Sequence, residues 1–294
     1  MKTIVILLFT SLFLAGAGCN SVETTTYRNS DLPIDSVLTI GTYNVAWLGD
    51  GMDDKIQRSD ADFKNIASII DALDADILAL QEIENVSALR NVVRYLDNYQ
   101  IQMVDTEAPQ DNAFLVKEGI TVEELEVYSP INVLLERTRP GLLLSCSKAG
   151  FDFKILSVHF KSTSRYDDTP EKKQLSYDLR RKQSAAVNRF NDSLVAEGIY
   201  DFAVLGDFND NPNRGNSQIS ELKGKLTFLT DSLTSCKNPN WDMIDHIALG
   251  RGLYRKYIEN TLFIYNHYST ISEQAAYKVS DHCPVVASFW LGER

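Results

Sequence analysis

Six times along this chain an apolar run of strand length stops at an amide, a carboxylate or an imidazole. The stops are Asn44 in Thr-Tyr-Asn-Val, Glu82 in Leu-Gln-Glu, His159 in Val-His-Phe-Lys-Ser, Asp207 with Asn209 in Gly-Asp-Phe-Asn, Asp245 in Met-Ile-Asp-His, and Asp281 with His282 in Ser-Asp-His-Cys-Pro. A polar group at the edge of an apolar strand is costly unless it is hydrogen-bonded or put to use. One such residue is an ordinary turn or cap. Six of them call for a shared site, and a shared site requires a fold that gathers those strand ends in space.

The rest of the pattern fits such a fold. Residues 37–45 alternate apolar and polar as a strand does. Residues 60–73 place Phe63, Ile66, Ala67, Ile69, Ile70 and Leu73 at helical spacing. Further strands are expected at 76–82, 113–116, 133–136, 142–146, 153–160, 202–205, 243–249 and 284–290. Further helices are expected at 86–97 and 172–197. Strands outnumber helices, and no repeat or Pro/Gly-rich linker interrupts residues beyond 40. This predicts one α/β domain with two layers of sheet and helices outside them.

The first residues read differently. Lys2 precedes an apolar stretch from Ile4 to Gly18, shorter than the roughly 20 residues of a membrane span. A basic start, an apolar core and small residues before Cys19 have the form of a secretory leader. Leu14-Ala15-Gly16-Ala17-Gly18-Cys19 resembles a bacterial lipobox, with Gly16 in place of the usual aliphatic residue. The expected organisation is a leader at 1–18, a lipidated Cys19 with a polar tether over 19–36, and a domain over 37–294. That implies a bacterial cell-envelope protein, lipid-anchored or alternatively secreted, with contact to the membrane through the anchor. Cys146, Cys236 and Cys283 remain in the domain; three is odd, so at most one disulfide forms and one thiol stays free. Without a CxxC pair a thiolate zinc site is not expected.

Charge sets a further bound. With 29 Lys+Arg against 40 Asp+Glu the formal charge is −11, which argues against tight binding of a polyanion along a broad basic face. A hydrophobic fraction of 44 % excludes a disordered or collagen-like chain.

Leu-Gln-Glu, Gly-Asp-Phe-Asn and Ser-Asp-His, in that order, resemble the endonuclease/exonuclease/phosphatase superfamily, which includes DNase I. The resemblance spans residues 38–291. It implies a four-layer α/β sandwich of two packed mixed β-sheets flanked by helices, and hydrolysis of a phosphate ester with Mg²⁺ or Mn²⁺. Carried over residue by residue, it implies Asn44, Glu82 and Asp281 as metal ligands; their hard oxygen donors suit Mg²⁺ better than zinc. It implies Asp207 and Asn209 at the attacking water and the phosphate. His282 would be oriented by Asp245, and His159 would sit at the leaving group. Arg139 in Thr-Arg-Pro-Gly and Lys161 after His159 are candidate substrate contacts. Many nucleases of the superfamily carry an acid two residues after the motif Asn. Here Ala46 stands there, which argues against a second metal at that edge.

Other residues have plainer readings. His246 follows Asp245 on a strand and points to the opposite face. His267 reads as a surface residue. Trp47 is a candidate stacking platform or a packing residue. There is no Gly-x-Ser-x-Gly and no P-loop. The leading expectation is a nuclease acting on extracellular or periplasmic nucleic acid, monomeric and without an obligate protein partner. The alternatives are a phosphomonoesterase, a lipid phosphodiesterase, or a surface binding protein that has lost catalysis. A membrane-dipping aromatic hairpin has one weak candidate, residues 263–268. Which of Asp207 and His282 is the base stays open at this level.

Overall fold

The computed structural model describes residues 34–106, 108–164 and 166–292. The leader, Cys19 and most of the tether lie outside the described residues. In chain order the elements are β1 (Val37–Leu48), α1 (Asp60–Leu73), β2 (Ile77–Ile83), α2 (Val86–Val93), β3 (Tyr99–Met103), β4 (Asp111–Lys117), β5 (Thr121–Tyr128), β6 (Gly141–Lys148) and β7 (Phe151–His159). After these come α3 (Pro170–Ala196), β8 (Phe202–Asp207), β9 (Thr227–Phe228), β10 (Asp245–Leu249), α4 (Arg251–Lys256), β11 (Phe263–Ile264), α5 (Glu273–Val279) and β12 (Val285–Trp290). They form two six-stranded mixed sheets, β11-β12-β1-β2-β4-β3 and β5-β6-β7-β8-β10-β9. Each sheet has one parallel pair at its centre, β1 with β2 and β7 with β8. A helix makes each crossover, as parallel pairing demands.

The central strands are apolar on both faces because both faces are covered. Along β2, Ile77 and Ala79 face the second sheet while Leu78 and Leu80 face α1 and α2. Along β8, Ala203 and Leu205 face the first sheet while Val204 meets Phe190 and Val187 of α3. The layers therefore run helix, sheet, sheet, helix. Helix α1 begins at a capping box between Ser59 and Asp62 and ends at Asp74 in the left-handed conformation.

Four expectations need correction. Residues 133–136 form an exposed turn rather than a strand: Thr138 Oγ1 accepts the Leu134 N–H, Glu136 has φ 64°, and Leu135 is 76 % exposed. Helix α2 stops at Val93 instead of 97, because Tyr95 and Leu96 N–H bond three residues back and close the chain into a turn. His267 is fully buried, its Nε2 bonded to the Ser280 carbonyl at 3.0 Å. Residues 263–268 do not project: Phe263 and Tyr265 pack against the α1 cluster. Cys236 and Cys283 form a disulfide, and Cys146 is free and buried.

Candidate active site

The site is the polar end of the core between the sheets. On β1 the residues facing the second sheet are Leu38, Ile40, Thr42 and Asn44, since alternate side chains share a face. At Thr42 the interface turns polar: Thr42 Oγ1 donates to Gln81 Oε1 at 3.0 Å, and Gln81 Nε2 donates to Ser157 Oγ at 3.3 Å. One step further on the same faces stand Asn44, His159 and Asp207, with His159 in register with Asp207 and Asp207 with Asp245. Glu82 has the wrong parity for that face. The register of β2 against β4 shifts between Leu80 and Ile83, and Glu82 takes φ 66°. The irregularity turns its carboxylate toward Asn44, a common use of a bulge beside a site.

The hydrogen bonds define the centre. Asn44 Nδ2 donates to Glu82 Oε1 at 3.2 Å and to Asp207 Oδ2 at 3.1 Å, bridging the two sheets. Its Oδ1 accepts the Ala46 N–H at 2.9 Å. Glu82 Oε2 accepts the Trp47 N–H at 3.0 Å and Gln110 Nε2 at 2.8 Å. Asp207 Oδ1 accepts the Asn209 N–H at 2.7 Å, which Asn209 reaches with φ 51°. Asn209 Nδ2 in turn donates to the Phe160 carbonyl.

Two histidines flank Asp207, and their surroundings shift them in opposite directions. Burial, then the neighbouring Arg139 cation, holds His159 well below the usual imidazole range. Arg139 Nη1 donates to His159 Nδ1, so the neutral ring carries its proton on Nε2, 3.7 Å from Asp207 Oδ2 and 3.8 Å from Glu82 Oε1. Burial would lower His282 as well, but the Asp245 carboxylate overrides it. Nδ1 donates to Asp245 Oδ2 at 2.7 Å, and with Asp207 and Asp281 nearby the imidazole is held well above its ordinary value. Its Nε2 lies 3.9 Å from Asp207 Oδ2. Burial pushes the Asp207 carboxyl up against the opposing pull of His282.

The residues fit a divalent cation. The donors around Asn44 are oxygens of Glu82 and Asp207, the hard type that Mg²⁺ takes. Asp245 Oδ1 is buried and has no hydrogen-bond partner among the described residues. Asp207, Asp245 and His282 have ligand atoms within 4.8 Å of one another.

Of the residues singled out in the sequence, the structure brings together Asn44, Glu82, His159, Asp207, Asn209, Asp245, His282 and Arg139. Asp281 stands at the rim, its side chain 53 % exposed, 3.8 Å from Lys237 and in the cavity opposite Glu82. Lys161 lines the cavity on the Glu82 side and faces Asp167 at 3.9 Å. His246 points away as expected, bonded to Thr230 and to the Asp210 carbonyl. Three supporting residues escaped the sequence reading. Gln110 holds Glu82. Ser280 Oγ links the Asn44 carbonyl to the His282 N–H. Arg58 donates to the carbonyls of Val45, Ala46, Trp47, Lys278 and Val279. Each is a lone polar residue in a loop, which leaves no periodic signal in the sequence.

The centre opens into two cavities with no lining residue in common, of about 430 and 310 Å³. Asn209, Asp245 and His282 line the larger, and Glu82 and His159 the smaller. Among the described residues no helix is long and apolar enough to cross a membrane.

Solved structures share this architecture. Truncated Caenorhabditis elegans TDP2 superposes with a TM-score of 0.64 at 19 % identity, covering 86 % of this chain and 98 % of that one. A mannosyl-6-phosphatase of Bacteroides thetaiotaomicron gives 0.59 at 15 % identity, covering 85 % and 98 %. The human Nocturnin catalytic domain with bound sulfate gives 0.60 at 16 %, covering 86 % and 94 %. At these identities the likeness is one of fold. No curated protein matches the chain in sequence. The family model described as Endonuclease/Exonuclease/phosphatase matches residues 41–282, from the glycine of β1 through His282. Sheet order, layers and motif positions agree with that match, and the chain belongs to the Endonuclease/Exonuclease/phosphatase family.

Proposed function

We propose that this protein is a divalent-metal-dependent phosphodiesterase, a nuclease acting outside the cytoplasm. The observation that carries the diester reading is the division of the centre between two cavities. A phosphomonoester needs room for a substituent on one side of the phosphorus, whereas a diester needs it on both. Arg139 and Lys161 line the smaller side and add positive charge beside the scissile phosphate while holding their protein partners. The extracytoplasmic reading rests on the leader-like start, on Cys19, and on the Cys236–Cys283 disulfide, a bond that persists in oxidising compartments.

Asn44 and Glu82 would hold the cation, which when bound draws charge off a phosphate oxygen. The side chains do the rest. His282 is held protonated by Asp245, so it donates from Nε2 to a phosphate oxygen and does not serve as the base. Asp207 faces both imidazoles and keeps lone pairs beyond its two hydrogen bonds, so it takes the proton of the attacking water. Asn209, locked by Asp207 and the Phe160 carbonyl, positions that water. His159, with its proton fixed on Nε2 by Arg139, donates a hydrogen bond to the leaving oxygen and stabilises its developing charge, and the leaving oxygen takes its proton from solvent.

The test is a substrate panel of plasmid DNA, RNA, bis-p-nitrophenyl phosphate, p-nitrophenyl phosphate and mannose 6-phosphate, each with Mg²⁺ and with EDTA. Hydrolysis of the diesters and nucleic acids, lost in EDTA, is expected. Cleavage of monoesters alone would overturn the nuclease reading, and undiminished rates in EDTA would overturn the metal.

A further inference from the structure

The two cavities differ in how their cations are used. In the larger, each faces an acid: Arg214 Nε donates to Asp242 at 2.8 Å, Lys237 stands 3.8 Å from Asp281, and Arg180 stands 3.9 Å from Asp210. In the smaller, Lys55, Arg137, Arg139 and Lys161 share the wall with one carboxylate, Glu82. Arg139 is committed to His159, and Lys161 to the Ser162 carbonyl and Asp167. Lys55 and Arg137 are exposed, and among the described residues neither has an acid within ion-pair distance. Lys55 is nonetheless held in place: its Nζ lies 3.4 Å from the centroid of the Trp47 ring. A cation resting on an aromatic face is positioned without being neutralised. The same Trp47 anchors Glu82 through its N–H, so the cation and the catalytic carboxylate are fixed by one residue.

We propose that Lys55 and Arg137 form a subsite for a second phosphate of the substrate, adjoining the scissile one on the smaller-cavity side. The paired cations of the larger cavity leave that side for an uncharged sugar and base. This rests on the phosphodiester reading above and deepens it. The substrate is anionic on one flank and needs no second phosphate on the other, which matches a nucleotide chain read from one end.

The experiment compares kcat/KM, with Mg²⁺, for a dinucleotide without a terminal phosphate, the same dinucleotide phosphorylated at its 5′ or its 3′ end, and a trinucleotide whose extra phosphate is an internal linkage. In the wild type one of the two phosphorylated ends should raise kcat/KM about tenfold, mainly through KM, since about 1.4 kcal/mol of added binding is tenfold. The other end should have little effect. In Lys55→Met/Arg137→Gln the ratio should fall to about one. Comparable circular dichroism spectra and melting curves would show that this exposed pair does not affect folding. A gain from the trinucleotide but from neither terminal phosphate would assign the subsite to an internal linkage. The proposal is overturned if no added phosphate raises kcat/KM in the wild type, or if the gain survives in the double variant. Bis-p-nitrophenyl phosphate has no second phosphate; if the wild type fails to hydrolyse it and all the dinucleotides, the phosphodiester reading itself has failed, not the subsite alone.

Discussion

Arg58 carries more of this site than any motif residue suggests. Its guanidinium and Nε reach three carbonyls at the end of β1 and two at the end of α5. Those two segments present Asn44 and His282. Ala46 and Trp47 sit there with φ 47° and 52°, a conformation that non-glycine residues hold only when their surroundings impose it. Replacing Arg58 by Met leaves those carbonyls without their donor. We expect a loss of about 3 kcal/mol in urea-unfolding free energy, the scale of removing one partner from a buried charged hydrogen-bond network. The Michaelis complex should also become less ordered, read as a fall in kcat. A variant with wild-type stability and kcat would remove Arg58 from this role. At the centre, Asp207→Ala and His282→Ala should each lower kcat by at least about a hundredfold, the lower end of what a positioned acid or base contributes. His282→Gln should retain more activity than Ala if Nε2–H donation to the phosphate matters more than charge. The site residues were legible because each ends an apolar run. Arg58, Gln110 and Ser280 were not, because a lone polar residue in a loop leaves no periodic trace.

At the scale of elements, legibility follows burial. Helix α1 was readable to its ends because its apolar stripe and its Ser59 cap agree. Strands β1, β2, β7, β8 and β12 were readable because they are buried on both sides. The edge strand β5 was not, since Glu123, Glu124 and Glu126 face solvent and disguise it. The turn at 133–136 misled in the opposite sense, by exposing Leu134 and Leu135. Glu82 was found by its place in Leu-Gln-Glu, but the bulge that turns it inward has no signature of its own. Gly206 shows what the central parallel pair requires. It has φ 145°, and a Cβ there would lie 1.9 Å from the Val158 carbonyl oxygen. Gly206→Ala must push β7 and β8 apart beside His159 and Asp207. The expected cost is about 3 kcal/mol, at the upper end for overpacking, with activity falling further than stability explains. A melting temperature within a degree of wild type would refute this. The disulfide acts on another element pair: it ties the Cys236 segment to the residue after His282 across 47 positions. On chain-entropy grounds its reduction should cost about 4 kcal/mol. Unfolding with and without dithiothreitol measures this, with Cys236→Ser/Cys283→Ser as the control for reductant effects.

Over the whole molecule, the two sheets meet through a core that is apolar for most of its depth and ionisable at one end, and pH should therefore test the fold as a unit. The chain has four histidines, and none lies free on the surface. Burial lowers three of them: His159, His246, which falls to about 4, and His267. His282 alone is raised. For a lowered histidine the unfolded chain binds a proton, with a pKa near 6.5, that the native state refuses. Stability is then whole above about pH 6.5 and declines as pH falls below it, until the native group also protonates. For His246 that window runs from about 6.5 to 4, and the loss over it is about 3 kcal/mol. His282 works with the opposite sign: its contribution is complete below about 6.5 and is lost only as pH rises through its raised native value. The two effects occupy different ranges, but Asp207, whose carboxyl burial raises to about 7, gains stability as pH falls from about 7 to 4 and so opposes the neutral rings there. His246 is the clean probe, because it faces away from the catalytic centre and is held by Thr230 and the Asp210 carbonyl. Unfolding free energies are measured at intervals from pH 7 to 4.5 in the wild type and in one variant, so that the contribution of Asp207 is common to both curves. In His246→Gln, where Thr230 and the carbonyl can still find partners, the curve should start lower but fall less steeply, by close to one bound proton. Parallel curves for the two proteins would show that His246 does not titrate on unfolding and that its burial is not what couples this fold to pH.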